Sequence, residues 1–121
     1  MSIDKKFVDL FVNVTAKAAL ASSYQIGKKD KIAADKAAVD AMRFHLNNLN
    51  IQGRIVIGEG ELDEAPMLFI GEKLGTNKGP EFDIAVDPLE GTNFAANNLP
   101  GALSVIAIAE KNNLFKAPET Y

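Results

Sequence analysis

Two short acidic motifs are the most chemically informative parts of this sequence, Gly-Glu-Gly-Glu at residues 58–61 and Asp-Pro-Leu-Glu-Gly-Thr at residues 87–92. Each follows an apolar run that is typical of a β-strand, residues 54–57 and residues 82–86. Carboxylates at the ends of buried strands repel one another unless a positive charge lies between them. Hard divalent cations such as Mg²⁺ and Mn²⁺ prefer carboxylate oxygen. The two motifs therefore predict a metal site.

The second motif also suits a phosphate group. Asp87 and Glu90 are separated by a stiff Pro88, which favours the exit of a strand. Gly91 lets the backbone approach a ligand closely, and Thr92 adds a hydroxyl. A helix opening directly afterwards would turn the neighbouring amides towards an anion. With carboxylates of the first motif holding a second ion, two ions could activate a water and stabilise the leaving oxygen of a phosphate ester.

Each motif also has a simpler structural interpretation. Residues 87–92 would make an ordinary proline turn, and residues 58–61 would make an acceptable surface turn. Asp35 favours the metal site over both. It lies on an otherwise apolar stripe of the second predicted helix, where a carboxylate is costly unless it is paired or bound to metal. The stripe consists of Ile32, Val39, Met42, Leu46 and Leu49. The helix dipole offers another explanation for Asp35, but it fades beyond the first turn.

The elements that must position these residues follow from periodicity. Apolar residues at helical spacing predict a first helix over 3–24, and Asp30 is a plausible N-cap for a second helix that ends near Leu46 or Leu49. From residue 54 the texture changes to short apolar runs separated by Gly, Pro and Asn. Strands are predicted at about 54–59, 67–71, 82–87 and 102–109, with a possible fifth near Leu114. This order predicts an α+β fold with two N-terminal helices packed on a mainly antiparallel sheet.

Composition narrows the class of protein. The 121 residues, 47% of them hydrophobic, are enough for one domain with a core, and the lack of cysteine excludes disulfides and Cys-ligated metal sites. No apolar run approaches the ~20 residues that cross a bilayer. Residues 61–121 carry ten Asp/Glu against four Lys/Arg. A nucleic-acid surface would have the opposite balance, so the acid-rich half predicts a protein that binds cations, unless it is only a solvated acidic face. Because no apolar run is long enough to cross a bilayer, we expect a cytoplasmic protein.

Residues 57–75 and 83–92 closely resemble class II fructose-1,6-bisphosphatase, a member of the lithium-sensitive, metal-dependent sugar and inositol phosphatases. The resemblance covers almost the whole chain. The Asp-Pro-x-(Asp/Glu)-Gly-Thr element is shared across the superfamily, whereas the segment from Gly58 to Met67 is far more specific to class II. The resemblance implies a layered α/β/α/β/α fold, Mg²⁺ or Mn²⁺ in two or more sites, and hydrolysis of the 1-phosphate of fructose 1,6-bisphosphate to fructose 6-phosphate in gluconeogenesis.

The resemblance also implies roles for individual residues. Asp35 and Thr92 would orient the attacking water, Glu59 would join them in catalysis, and no phosphoenzyme would form. The residues that match family metal ligands or lie near the metals are Asp35, Glu59, Asp87 and Glu90. The residues that match substrate contacts are Glu90, Gly91, Thr92 and Tyr121. Polar positions of the same pocket with less defined roles are Lys31, Glu61 and Asp63.

Family members continue well beyond residue 121, so residues 1–121 are expected to be the N-terminal part of a sugar-phosphatase domain, either a piece of a longer protein or a natural short form. Alone, the chain is expected to have little or no activity and to self-associate as a homo-oligomer through uncovered sheet edges. Two alternatives remain. The substrate could be another sugar bisphosphate or an inositol phosphate, or the chain could be a non-catalytic metal-binding or assembly module.

Overall fold

The computed structural model describes residues 3–59 and 67–116 of the chain. Within them, three helices pack on a four-stranded mixed sheet whose strand order is β2-β1-β3-β4. The helices are α1 (Lys5–Ser23), α2 (Lys31–Asn47) and α3 (Thr92–Ala96), and the strands are β1 (Gln52–Ile57), β2 (Lys73–Leu74), β3 (Glu81–Glu90) and β4 (Leu103–Glu110). The predicted α+β fold is therefore confirmed.

Both long helices begin at aspartate caps. The Asp4 carboxylate accepts a hydrogen bond from the backbone N–H of Lys6, and Asp30 accepts one from Ala33, each at 3.0 Å. These bonds satisfy backbone donors that a helix leaves unpaired in its first turn. The predicted cap at Asp30 is confirmed. No helix in the described parts of the chain combines the length and apolar character that a membrane crossing requires.

The sheet contains two antiparallel pairings and one parallel pairing. β1 pairs antiparallel with β2, β3 pairs antiparallel with β4, and β1 runs parallel to β3 at the centre. The sheet is thus mostly antiparallel, as expected. The central parallel pair matters for function, because the carboxyl ends of parallel neighbours lie at the same edge of the sheet.

The core lies between α1, α2 and one face of the sheet. Phe7 and Phe11 of α1 pack edge-to-face with Phe82 of β3. Their ring centroids lie 5.3 and 5.8 Å from that of Phe82, respectively. Ile55 and Ile84, paired across β1 and β3, are buried in the same core. Burying side chains of this size contributes about 1.5–3 kcal/mol each. The two strands that carry the acidic motifs are therefore held in a rigid part of the molecule.

Two of the strand predictions are wrong. Residues 67–71 form a loop that lies beside β1, and β2 follows it at Lys73–Leu74. Gly71 has a φ of +92°, which extended backbone does not allow. The second error concerns Leu114. It follows a turn in which Asn112 has a φ of +68°, and its N–H donates to the Asp83 carboxylate at 3.3 Å.

Strand β3 also continues further than predicted. It passes through Pro88 to Glu90, and its register with β4 shifts between Asp87 and Glu90. Proline has no N–H to donate to a ladder, so it is tolerated at such an irregularity. Pro88 is fully buried there. Proline therefore marks a bulge within the strand instead of its exit.

The predicted apolar stripe of α2 is confirmed at Val39, Met42, Leu46 and Leu49, which are buried or pack on the core, and is wrong at Ile32. Ile32 is 69% exposed, and Asp35 is half-buried at the margin of the core. The buried residues of α2 are Ala34, Ala38, Val39, Met42 and Leu46. Two of these five residues are alanines, and Ala18 of α1 is fully buried as well. The buried face of α2 therefore includes the small alanines instead of Ile32, and Asp35 lies at the margin of that face.

Candidate metal centre

Glu59 of the first acidic motif and Asp87 of the second lie at one edge of the sheet. Glu59 lies two residues beyond the end of β1, and Asp87 lies near the end of β3. Because β1 and β3 are parallel neighbours, both carboxylates are carried to the same edge. Asp35 reaches this edge from α2, in the helical layer above. We call Asp35, Glu59, Asp87 and Glu90 the acidic cluster.

Backbone hydrogen bonds hold the start of α2 beside the end of β3. In the turn between α1 and α2, the N–H of Gly27 donates to Ala95 O at 3.0 Å and that of Lys29 donates to Ala96 O at 2.8 Å. Both acceptors lie in α3, which begins directly after β3. These bonds hold the first turns of α2 beside the second motif, which keeps Asp35 near Asp87.

The carboxylates of the cluster perturb one another electrostatically. Burial raises the pKa of Asp35, and the charge of Asp87 raises it further. The pKa of Glu59 is raised to about 7, first by burial and then by the charge of Asp35. Burial and the neighbouring Glu90 raise the pKa of Asp87. The carboxylates of Asp35, Glu59 and Asp87 are therefore half-buried and close enough to interact electrostatically.

The cluster lacks a direct positive partner within the described residues. None of its four carboxylates forms an ion pair with lysine or arginine in residues 3–59 and 67–116. Arg43 lowers the pKa of Glu59 from a distance, but its guanidinium is bonded to Glu72. Half-buried carboxylates without a counter-charge are costly. A bound cation would remove that cost.

The ligand geometry of such an ion is not assembled in the described residues. No three Asp, Glu, His or Cys side chains there lie close enough together to hold one metal ion. Mutual pKa shifts need only proximity, whereas ligation needs several oxygens at about 2–2.6 Å from one point. The donor set nevertheless has the right chemistry for a hard divalent cation, since every member is a carboxylate. The predicted acids are together, but their side chains do not converge.

The remaining predicted site residues lie around the end of β3 and the start of α2. Glu90 is exposed, and Thr92 is half-buried at the first position of α3. Gly91 has a φ of +79°, the left-handed conformation that lets α3 begin directly after the strand. Lys31 is exposed at the first position of α2. Three further predicted residues lie outside the described residues: Glu61, Asp63 and Tyr121.

One ion pair near the cluster was not anticipated from the sequence. Arg43 binds Glu72 with two nitrogens, Nε at 2.8 Å and Nη2 at 3.0 Å. These residues are 29 positions apart and lie on a helix and in a loop, so no motif or spacing links them. The only available signal is an arginine on the same helix as Asp35.

A family model matches nearly the whole chain. The model described as "Bacterial fructose-1,6-bisphosphatase, glpX-encoded" covers residues 5–121. The match includes both acidic motifs and Asp35. A match over this share of the chain establishes family membership.

Curated relatives agree with the family model. The chain is 55% identical over 111 residues to fructose-1,6-bisphosphatase 1 class 2 of Escherichia coli K12, with 92% of this chain and 33% of the relative covered. It is 49% identical over 119 residues to a D-fructose 1,6-bisphosphatase class 2/sedoheptulose 1,7-bisphosphatase of Prochlorococcus marinus MIT 9303, with 98% of this chain and 36% of the relative covered. The chain thus spans about a third of the length of these relatives.

A solved structure shows the same fold at much lower identity. An extragenic suppressor protein from Pyrococcus furiosus superposes with a TM-score of 0.56 at 16% identity, over 88% of this chain and 41% of that one. This likeness supports the arrangement of helices and sheet alone. From the family match and its agreement with the curated relatives, we conclude that the chain belongs to the glpX-encoded bacterial fructose-1,6-bisphosphatases.

Proposed function

We propose that this chain supplies metal-binding carboxylates to a phosphatase that hydrolyses the 1-phosphate of fructose 1,6-bisphosphate. One observation carries the proposal: Asp35, Glu59 and Asp87, from three separate elements, form one electrostatically coupled cluster in a chain of this family. Relatives that the chain matches over 98% and 92% of its own length bear the name fructose-1,6-bisphosphatase. Hydrolysis would yield fructose 6-phosphate and inorganic phosphate.

The acidic cluster would hold Mg²⁺ or Mn²⁺. Its carboxylates are hard oxygen donors, and their mutual repulsion makes a divalent cation a favourable neighbour. Such ions, when bound, lower the pKa of a coordinated water and neutralise charge on a phosphate. The family resemblance implies two or more ions, and the Mn²⁺ titration below measures how many bind to this chain.

The chain's own groups would position the reactants. We propose that the half-buried Asp35 carboxylate and the Thr92 hydroxyl orient the attacking water, with Glu59 as a third catalytic group. Gly91 lacks a side chain where the phosphate would approach the backbone. Glu90 would serve both the metal and the substrate. Additional pocket roles are proposed for Lys31, Glu61, Asp63 and Tyr121 on the family resemblance.

Two experiments test this function. Calorimetric titration of the metal-free chain with Mn²⁺ should show saturable binding that Asp87→Asn weakens at least about tenfold. A chimeric enzyme, in which this chain replaces the matching segment of the Escherichia coli relative, should release phosphate from fructose 1,6-bisphosphate. The same chimera carrying Glu59→Gln should not. A folded, metal-binding chimera without turnover would favour a non-catalytic metal-binding or assembly role for this sequence.

Sedoheptulose 1,7-bisphosphate is the second candidate substrate. The name of the Prochlorococcus relative includes that activity, and the chain matches it over 98% of its own length. Both sugars present a primary phosphate ester, so the proposed chemistry at the cluster would be the same. A substrate panel with the chimera, including an inositol phosphate, separates the alternatives. We also propose a cytoplasmic location and a homo-oligomeric state.

A further inference from the structure

The loop of residues 67–72 is the immediate neighbour of Glu59. The N–H of Glu59 donates to Leu68 O at 3.0 Å, and the N–H of Leu68 donates back to Oε1 of Glu59 at 3.3 Å. Oε2 of Glu59 accepts no hydrogen bond from the described residues. The loop therefore binds Oε1 of Glu59 and leaves Oε2 available to the acidic cluster.

The same loop is bonded to strand β1. The N–H of Gly71 donates to Ile55 O at 2.8 Å, and the N–H of Ile55 donates to Glu72 O at 2.9 Å. These bonds fix the far end of the loop to a buried strand. The near end, around Met67 and Leu68, forms no strand and is bonded to the main chain through the N–H of Glu59.

Arg43 adds a side-chain attachment of the loop to α2. Its guanidinium donates hydrogen bonds to the Glu72 carboxylate through Nε and Nη2, and Nη2 also donates to Met67 O. Glu72 in turn accepts the N–H of Phe69 at 3.3 Å. The Glu72 side chain is only 11% exposed and that of Arg43 is 30% exposed. One arginine thus joins both ends of the loop to the helix that carries Asp35.

We propose that Arg43 is a positioning residue: paired with Glu72, it holds the 67–72 loop against β1 and so fixes the Glu59 carboxylate at the acidic cluster. The inference rests on the proposed metal-binding function. Its physical reason is that arginine forms a planar two-pronged bond to carboxylate that a point charge does not reproduce. Substitution of the outer groups that orient metal ligands typically lowers metal affinity by about 10–100-fold.

The test compares Mn²⁺ affinity and amide hydrogen exchange in the 121-residue chain. Arg43→Gln should weaken Mn²⁺ binding by about tenfold or more and speed exchange at the Leu68 amide. Lys36→Gln is the matched control. It breaks an ion pair with Asp40 on the exposed face of the same helix, and it should change neither quantity.

Two further variants separate positioning from charge and from stability. Arg43→Lys keeps the positive charge but loses the two-nitrogen bond to the carboxylate, so its Mn²⁺ affinity should stay close to that of Arg43→Gln. Wild-type Mn²⁺ affinity in Arg43→Lys would overturn the inference. Arg43→Met combined with Glu72→Met removes the pair without leaving a buried charge, which preserves folding in many proteins. If this double variant is folded by circular dichroism yet binds Mn²⁺ as wild type does, the inference is also overturned.

The failure of the proposed function can be distinguished from the failure of this inference. Absence of Mn²⁺ binding by the wild-type chain contradicts the function. Hydrogen exchange still decides the attachment in that case. Unchanged Leu68 exchange in Arg43→Gln would contradict the inference, and faster exchange would support it.

Discussion

Asp35 of helix α2 and Asp87 of strand β3 lie on the two sides of the boundary between the helical layer and the sheet, and the charge of Asp87 raises the pKa of Asp35. The two residues are 52 positions apart in the sequence. Helix α3 and the turn before α2 bring them together through backbone hydrogen bonds at Ala95 and Ala96. Repulsion across this boundary is the physical basis of the first prediction.

Asp87→Asn should separate metal binding from the stability of the metal-free chain. Removing one negative charge relieves repulsion, so the melting temperature without metal should stay the same or rise. Mn²⁺ at a hundredfold excess over its dissociation constant should stabilise the wild-type chain by about 2.7 kcal/mol. Thermal unfolding with and without Mn²⁺ measures both effects, and the variant should lose most of the metal-induced rise.

Asp9→Asn is the matched control for that measurement. It removes the same charge from an exposed position of α1, on an element that contributes no residue to the acidic cluster. It should retain the full Mn²⁺ response. An equal loss of response in both variants would mean that Mn²⁺ acts through general charge and not at the cluster.

The stability of the metal-free chain should depend on pH through Glu59. Its pKa rises from 4.5 to about 7 on folding, so the folded chain holds this proton more tightly. Its contribution to stability is therefore full below pH 4.5 and is lost as the pH rises through about 7. Melting temperatures measured from pH 5 to pH 8 should fall less steeply for Glu59→Gln than for wild type.

Glu110→Gln provides the comparison for the pH series, since it removes a carboxylate at the end of β4. A fall that is less steep in Glu59→Gln than in Glu110→Gln would assign the pH dependence to Glu59. Mn²⁺ should flatten the wild-type curve, because the cation competes with the proton for the Glu59 carboxylate. A Glu59→Gln curve as steep as that of wild type would refute the assignment.

Gly58→Ala should weaken Mn²⁺ binding because it displaces the 67–72 loop. A Cβ at Gly58 would lie 2.5 Å from Leu68 O and 2.8 Å from Cγ2 of Ile55. Since Leu68 O is a backbone atom, the loop has to move, and overpacking of this kind costs about 1–3 kcal/mol. Urea unfolding and Mn²⁺ titration measure the two consequences.

Gly71→Ala is the control for the loop. A Cβ there meets nothing within 4 Å, so the substitution adds only the strain of a φ of +92°. We expect a loss of stability of about 1 kcal/mol with Mn²⁺ affinity preserved. If Gly58→Ala bound Mn²⁺ as tightly as Gly71→Ala, the loop would not control the site.

The 121-residue chain by itself should release little or no phosphate from fructose 1,6-bisphosphate. It spans about a third of its curated relatives, and much of enzymatic rate comes from precise positioning of all reacting groups. A phosphate-release assay with Mn²⁺, run beside the full-length Escherichia coli relative, measures this. Metal-dependent turnover that disappears in Asp87→Asn would contradict the prediction.

The chain should self-associate through strand β4. β4 is an edge strand of the four-stranded sheet formed by the described residues. Ile106 and Ile108 pack on the core, whereas Val105 and Leu103 are 42% and 57% exposed. An exposed apolar edge favours pairing with another chain. Light scattering over a wide concentration range should show association that Val105→Lys reduces.

Leu20→Lys tests whether that association is specific to the strand edge. Leu20 is 52% exposed on α1, so the substitution makes a similar exchange of apolar for charged surface elsewhere. It should leave association unchanged. A wild-type chain that stays monomeric at all concentrations would rule out the predicted homo-oligomer.

Local chemistry determined a large part of this structure. The cap at Asp30, the helical spacing of α1 and the apolar runs of β1, β3 and β4 act over a few residues, so the sequence predicts them directly. The same holds for the acidic motifs, whose residue types already indicate hard cations. The family resemblance drawn from those motifs is confirmed by the family model.

Packing between distant residues decided the rest. Packing buried the alanines of α2 and left Ile32 exposed, β3 continued through Pro88 at a register shift, and residues 67–71, with Gly71 at a φ of +92°, stayed out of the sheet. The pairing of Arg43 with Glu72, and the burial that raises the pKa of Glu59 to about 7, likewise exist only in the folded chain. Desolvation and side-chain contact depend on which surfaces meet in three dimensions, and no local pattern of residues encodes that.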